Sequence, residues 1–168
     1  MSRYNTIIPN DVVNGEGVCT SFFVQGCPHQ CPGCFNDETW DFRGGQPYTN
    51  ETKWEIIKLI GANGIQRNFS VLGGEPLAPQ NVDMTCEVID AVRHAYPSIK
   101  IFLWTGYVYE ELMARPSKNL MKILDTIDVL IDGPFIENEK DLNLKLRGSK
   151  NQRVWRKINN VWEIKENG

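Results

Sequence analysis

Four apolar runs in this chain end in glycine, and that recurrence restricts the fold more than any other feature of the sequence. Val18 to Gln25 stops at Gly26, Phe69 to Leu72 at Gly73-Gly74, Ile99 to Trp104 just before Gly106, and Ile127 to Asp132 at Gly133. Helical periodicity fills the intervals. Thr52-x-x-Glu55 has the form of a capping box, and Trp54, Ile57 and Ile60 follow at helical spacing until Asn63-Gly64. Val82, Cys86, Ile89, Val92 and Tyr96 recur at i, i+4, i+7, i+10 and i+14 and predict a second helix. Tyr109 to about Asp125 predicts a third helical region, interrupted at Pro116. Val154 to Ile158 and Val161 to Ile164, separated by Asn159-Asn160, predict a hairpin with a two-residue turn. Strands alternating with helices imply parallel pairing through right-handed crossovers. Glycine at the carboxyl end of such strands lets backbone approach a ligand where active sites of parallel α/β proteins gather. A complete eightfold barrel takes about 250 residues, more than the 168 present. The expectation is therefore an α/β fold, a partial, open parallel α/β barrel with a C-terminal β-hairpin, in a single domain over residues 1–168.

The loop that follows Gly26 carries three cysteines, Cys27-Pro-His-Gln-Cys31-Pro-Gly-Cys34, in C-x₃-C-x₂-C spacing. Iron–sulfur clusters are ordinarily held by four cysteine thiolates, so a loop with three leaves one iron open to another ligand. The same residues allow a second reading. Three cysteines with His29 between them supply the donor types of a Cys₃His zinc knot. His29 lies only two residues from both Cys27 and Cys31, which crowds four-fold ligation, and zinc modules more often present C-x₂-C pairs. A zinc-stabilised interaction module nevertheless stays open on the residues alone.

The loop resembles the cluster loop of the radical S-adenosylmethionine enzymes. A second family signature follows in Gly73-Gly74-Glu75-Pro76, directly after the run Phe69 to Leu72. Trp104-Thr-Gly-Tyr107, the run Asp128 to Gly133, Leu146-Arg-Gly-Ser149 and Asn151-Gln-Arg153 then follow in the order found in the glycyl-radical activases of anaerobic ribonucleotide reductases. That resemblance runs from about Ile7 to Trp162. It implies a [4Fe-4S] cluster on Cys27, Cys31 and Cys34, and S-adenosylmethionine bound at the open iron and lined by Gly33, Cys34, Phe35, Gly73, Gly74 and Glu75. It also implies a protein substrate, the large catalytic subunit of an anaerobic ribonucleotide reductase, on which a glycyl radical is installed, and a low-potential electron donor such as flavodoxin. Within the superfamily, another glycyl-radical activase or a deazapurine-forming enzyme is the alternative. Phe35 stands where activating proteins of this kind often carry tyrosine, so any hydrogen bond from that hydroxyl is lost while the ring remains. Phe22, Phe23 and Phe35 are candidates for sheltering the cluster from solvent.

The other residues carry plainer readings. Cys19 and Cys86 alternate with or stripe among apolar neighbours and behave as small hydrophobes, while His94 lies off the stripe at the surface. Trp104, Trp155 and Trp162 read as packing residues. Asn14-Gly15-Glu16-Gly17 reads as a turn near the barrel mouth. Five cysteines, three of them within eight residues, suit a metal site in a reducing compartment better than a disulfide framework. No apolar run is long enough to span a bilayer and no basic-then-apolar leader follows Met1, so a cytoplasmic location without membrane contact is expected. The net charge is −3, yet Lys140 to Lys157 holds seven Lys or Arg against one Asp. That stretch reads as solvated surface, with an acidic partner or the cofactor carboxylate as alternatives. Nucleic acid is disfavoured because no stacking motif accompanies it.

Overall fold

Successive side chains of a strand point to opposite faces, so runs as apolar as these have to be covered on both sides. The computed structural model describes residues 2–165. Its strands are β1 (Arg3–Asp11), β2 (Cys19–Val24), β3 (Gln46–Pro47), β4 (Asn68–Gly73), β5 (Ile101–Trp104), β6 (Val129–Asp132), β7 (Arg153–Ile158) and β8 (Val161–Ile164). They form one open sheet in the order β3-β1-β2-β4-β5-β6-β7-β8. The four central strands β2, β4, β5 and β6 are parallel, and antiparallel strands flank them on both sides. Helices α1 (Asn50–Ile60), α2 (Val82–Ala95), α3 (Tyr109–Ala114) and α4 (Lys118–Thr126) fill the crossovers.

Register decides what each face carries. Phe22 lies beside Val71, Val71 beside Leu103 and Leu103 beside Leu130, a row packed with Ile56, Ile60, Val88, Ile89, Val92 and Ile123 of the helices. Each such fully buried side chain contributes roughly 1.5–3 kcal/mol. One residue back, the row Ser21, Ser70, Phe102 and Val129 belongs to the opposite face. There Phe102 and Val129 pack with Cys19, Ile131 and Val154 in a second, smaller cluster. Residues 12–18 lie across this second face. The buried Asp11 carboxylate accepts from the Val13 and Asn14 amides and from Ser21 Oγ, and Ser70 Oγ donates to the Asn14 carbonyl. The Asn14–Gly17 turn is thus pinned onto the sheet, and Arg156 closes it by a two-pronged ion pair with Glu16.

Several element boundaries differ from expectation. β1 and β3 escaped the periodicity reading because β1 carries Pro9 and polar alternation, and β3 is two residues long. Helix α1 begins one turn earlier than the Thr52-x-x-Glu55 pattern suggests. Thr49 is its cap and Thr52 the reciprocal partner, and Trp54, expected on the apolar stripe, is 60% exposed. As expected, the helical region after Tyr109 breaks at Pro116, giving α3 and α4, with Ser117 capping the second. Asn159 and Asn160 take φ of 51° and 63°, the left-handed pair that a tight hairpin turn requires.

Arg67 shows how the frame is braced. It is 7% exposed and gathers the carbonyls of Leu59, Ile60, Ala62 and Ile65 at the carboxyl end of α1, together with Asn10 Oδ1. A cation there matches the helix dipole and satisfies acceptors that the helix leaves open. Arg67→Ala should lower the stability of the metal-free chain by about 2–3 kcal/mol, read from denaturant midpoints. Arg67→Lys should recover only part of that, because one ammonium cannot replace the guanidinium fork.

Candidate functional site

The carboxyl ends of the parallel strands open on a cavity of about 470 Å³. Cys27, Cys31 and Cys34 border it, as do Gly73, Gly74 and Glu75, and Phe35 sits on its wall with 54% of its surface exposed. Gly33 does not reach the cavity wall; a Cβ at that position would meet the Glu137 side chain at 2.8 Å. Phe22 turns into the helix-side core, so of the three phenylalanines expected to shelter the loop only Phe23 is a buried part of the wall.

Backbone ties the cysteine loop to β4. The parallel ladder between β2 and β4 continues past both strands, with the Gly74 amide donating to Val24 O at 2.9 Å and the Glu75 amide to Gly26 O at 2.8 Å. On its other side the Gly26 amide donates to Thr39 O and the Cys27 amide to Trp40 O. Asn81, 1% exposed, aims its amide at the carbonyls of Gln25, Gly26 and Glu75. This packing explains the glycines. A Cβ on Gly74 would meet Gly26 O at 2.4 Å, and one on Gly73 the Val24 backbone at 2.8 Å. Close approach at these positions is between two stretches of protein backbone, where the sequence alone suggested backbone and ligand.

Glu75 is fully buried and fully used. Its Oε1 accepts from the Gly106 amide at 2.6 Å and from His29 Nε2 at 2.7 Å. Its Oε2 accepts from the Leu77 amide and Thr105 Oγ, each at 2.8 Å. The GGE segment therefore lines the cavity through its backbone while the carboxylate knots β4, β5 and the cysteine loop together.

Burial pushes the Cys27 thiol up to about 11, and raises Cys31 as well, again through loss of solvent. Metal ligation removes those protons outright. Among the described residues no three Cys, His, Asp or Glu side chains converge on one ion position. The imidazole that a Cys₃His zinc site would need is committed to Glu75. The donor set fits a cluster better: three soft thiols line one cavity, and Trp40, which also lines it, has a buried indole N–H with no partner among the described residues, the kind of donor from which sulfur atoms of a cluster accept.

Residues the sequence reading placed elsewhere also reach this site. Trp104, expected as plain packing, lines the cavity and donates its indole N–H to Leu146 O. From the Leu146–Ser149 and Asn151–Arg153 motifs, Leu146, Arg147, Gly148 and Gln152 also line the cavity, and Gly148 lies against the Phe35 ring beside the cysteine loop. Gln152 accepts there from the Gly148 and Ser149 amides and donates to Gly133 O, while Asn151 donates to Pro134 O. The basic stretch is mostly internal bracing and not a solvated face. Arg153 pairs with the buried Asp132 and with Glu110, Arg156 with Glu16, Lys157 with the carbonyls of Leu124 and Asp125, and Arg147 with those of Lys150 and Gln152. Cys19 and Cys86 are buried in the two hydrophobic clusters, and His94 is exposed, as expected. Asn81 and Trp40 carried no signal in the sequence, and the bonds from His29 and Thr105 to Glu75 could not be read there because the partners lie 46 and 30 residues apart.

The class of protein follows from a family match: a family described as "4Fe-4S single cluster domain" matches residues 13–155, so the chain carries an iron–sulfur cluster domain. Curated relatives narrow the class. The anaerobic ribonucleoside-triphosphate reductase-activating protein of Escherichia coli (strain K12) is 41% identical over 153 residues, 90% of this chain and 97% of the relative. The proteins of the same name from Vibrio cholerae and Enterobacteria phage T4 are 40% and 38% identical, covering 92% and 96% of this chain and 97% and 98% of their own length. The chain belongs to the family of anaerobic ribonucleoside-triphosphate reductase-activating proteins.

The raised thiol has a measurable consequence. In the metal-free folded chain Cys27 keeps a proton that the unfolded chain releases near 9.0, so stability falls as pH rises from there toward about 11. Alkylation of Cys27, followed by peptide mass spectrometry, should be slow near neutral pH and keep accelerating above about pH 10, where an ordinary thiol has levelled off. A Cys27 that reacts as fast as a denatured control at pH 8 would contradict this.

Proposed function

We propose that this chain is the activase of an anaerobic ribonucleoside-triphosphate reductase, working as a radical S-adenosylmethionine enzyme. The observation that carries the reading is a loop offering three thiols to one cavity that the adjoining Gly73-Gly74-Glu75 segment also lines. On this reading Cys27, Cys31 and Cys34 hold a [4Fe-4S] cluster, and S-adenosylmethionine occupies the cavity beside Phe35, Gly73 and Gly74. Bound together, cluster and S-adenosylmethionine supply the one-electron cleavage of the sulfonium that yields methionine and a 5′-deoxyadenosyl radical.

The protein's part is placement and exclusion. Asn81 and the β2–β4 ladder hold the cysteine loop against the GGE backbone, and the 133–152 wall, held by Gln152 and Asn151, restricts water in the cavity. Phe35 lies against Phe135 with ring centroids 5.1 Å apart and tilted by 59°, and the Lys140 ammonium sits 5.2 Å from its ring centre. We read the open sheet as the partial barrel of this superfamily. Its missing strands leave room for a polypeptide loop of the reductase's large subunit, which fits a protein substrate. The electron comes from a low-potential donor of the flavodoxin type. Five free cysteines suit a reducing, cytoplasmic setting, and among the described residues no helix is long and apolar enough to cross a membrane.

Alanine variants address the ligands. Anaerobic reconstitution should give brown, iron-loaded protein from wild type, Cys19→Ala and Cys86→Ala, and should fail for Cys27→Ala, Cys31→Ala and Cys34→Ala. A colourless wild type with stoichiometric zinc would end the cluster reading. Function is tested by mixing the loaded protein with a low-potential reductant, S-adenosylmethionine and the cognate large subunit. Electron paramagnetic resonance should show a doublet that collapses when the large subunit is grown on deuterated glycine. Methionine and 5′-deoxyadenosine formed without that signal would leave the cleavage chemistry standing and remove the reductase as substrate.

A further inference from the structure

His29 occupies the middle of the three-residue spacer between Cys27 and Cys31, and it is held on three sides. Its Nε2 meets Glu75 Oε1 at 2.7 Å, its ring packs edge-on to Tyr107 with centroids 4.5 Å apart, and its Cδ2 lies where a Cβ on Gly106 would come within 2.5 Å. Two of the remaining Glu75 contacts are backbone amides, and Thr105 Oγ takes the Tyr107 amide while giving its own proton to Glu75. A carboxylate accepting from all four groups satisfies every one of these contacts, with His29 donating from Nε2 in the matching tautomer. Of the four groups on that carboxylate, His29 alone comes from the cysteine loop. The next residue, Gln30, has φ of 48°, a left-handed conformation that a residue with a side chain adopts at a cost. A spacer bent in this way persists only when neighbouring contacts hold it.

We propose that His29 is a positioning residue: through Glu75 it latches the Cys27–Cys31 limb to the ends of β4 and β5. It thereby sets where the cluster stands relative to the cavity. The inference rests on the proposed binding of a cluster and S-adenosylmethionine, and it adds a residue that ligates no iron to the determinants of that binding. Gly106 belongs to the same device, since its missing side chain is the space the imidazole fills.

The test uses His29→Ala, His29→Gln, Gly106→Ala and the double variant His29→Ala/Gly106→Ala. Each is reconstituted anaerobically and measured for iron and sulfide, for S-adenosylmethionine affinity by calorimetry, and for the shift that S-adenosylmethionine produces in the spectrum of the reduced cluster. His29→Ala should still take up iron, because no ligand is lost. Its affinity should fall roughly ten- to a hundred-fold, the usual cost of removing a group that orients a metal ligand, and the spectral shift should disappear. Gln offers a side-chain N–H at similar reach and should restore most of both. Gly106→Ala should reproduce the weakening by pushing the ring aside, and should add nothing once the ring is gone, a non-additivity expected only of residues in contact.

Wild-type affinity in His29→Ala would overturn the proposal, as would Gln behaving no better than Ala, or additive effects in the double variant. The metal-free chain gives an independent arm: Cys27 alkylation at fixed pH should be faster in His29→Ala and return toward wild type in His29→Gln. Unchanged alkylation refutes the latch even if no variant loads a cluster. A wild-type protein that loads iron but ignores S-adenosylmethionine would instead refute the proposed function, leaving the alkylation arm to decide on His29.

Discussion

A carboxylate taken fully out of water is tolerated only when its oxygens are met by donors, and stripping one partner from such a group costs several kcal/mol. Glu75 is in that position, and its four donors come from β4's own continuation, from two successive residues after β5, and from the cysteine loop. Three pieces of chain far apart in sequence are thereby brought to one point. The Gly26–Glu75 ladder and Asn81 add the backbone register, so the loop and the GGE segment move as one body or not at all. The rest of the site is arranged around this knot.

The sheet divides its work between two faces. On the helix side, large aliphatic and aromatic residues make an ordinary close-packed core that supplies stability. On the other side the row Ser21, Ser70, Phe102 and Val129 is part polar, and it is covered by loops whose hydrogen bonds are satisfied by Asp11, Ser70 and Asn68. A cavity survives there because a loop fixed by hydrogen bonds fills space less completely than a helix does. The cost of an unfilled volume is met on the opposite face.

Much of this was legible beforehand. The parallel centre and the terminal hairpin follow from glycine placement and periodicity, which are local, and the grouping of the three cysteines with Gly73-Gly74-Glu75 was implied by the family resemblance. What periodicity could not reach is whatever depends on a distant partner. The first strand is largely polar and carries a proline, so it has no apolar run to betray it. Thr49 displaced Thr52 as the helix cap because a cap is decided by backbone conformation as much as by residue type. The glycines were correctly marked as places of close approach, yet what approaches is the Gly26 bend. Likewise the charge run 140–157 looked solvent-facing because the acids that neutralise it, Glu16, Glu110 and Asp132, lie on other elements.

The clasp between Arg156 and Glu16 joins residues 140 positions apart, and part of the cavity wall comes from residues 133–152. During synthesis, then, the three thiols leave the ribosome long before the wall that encloses them exists. Contacts of such sequence separation also form late in folding, since the entropy of closing the intervening chain has to be met first. A nascent chain thus presents Cys27, Cys31 and Cys34 unenclosed, in the state most open to oxidation. With the proposed cluster on this loop, delivery of iron and sulfide and closure of the shell are separate events, and a cell assembling the protein has to protect the interval between them.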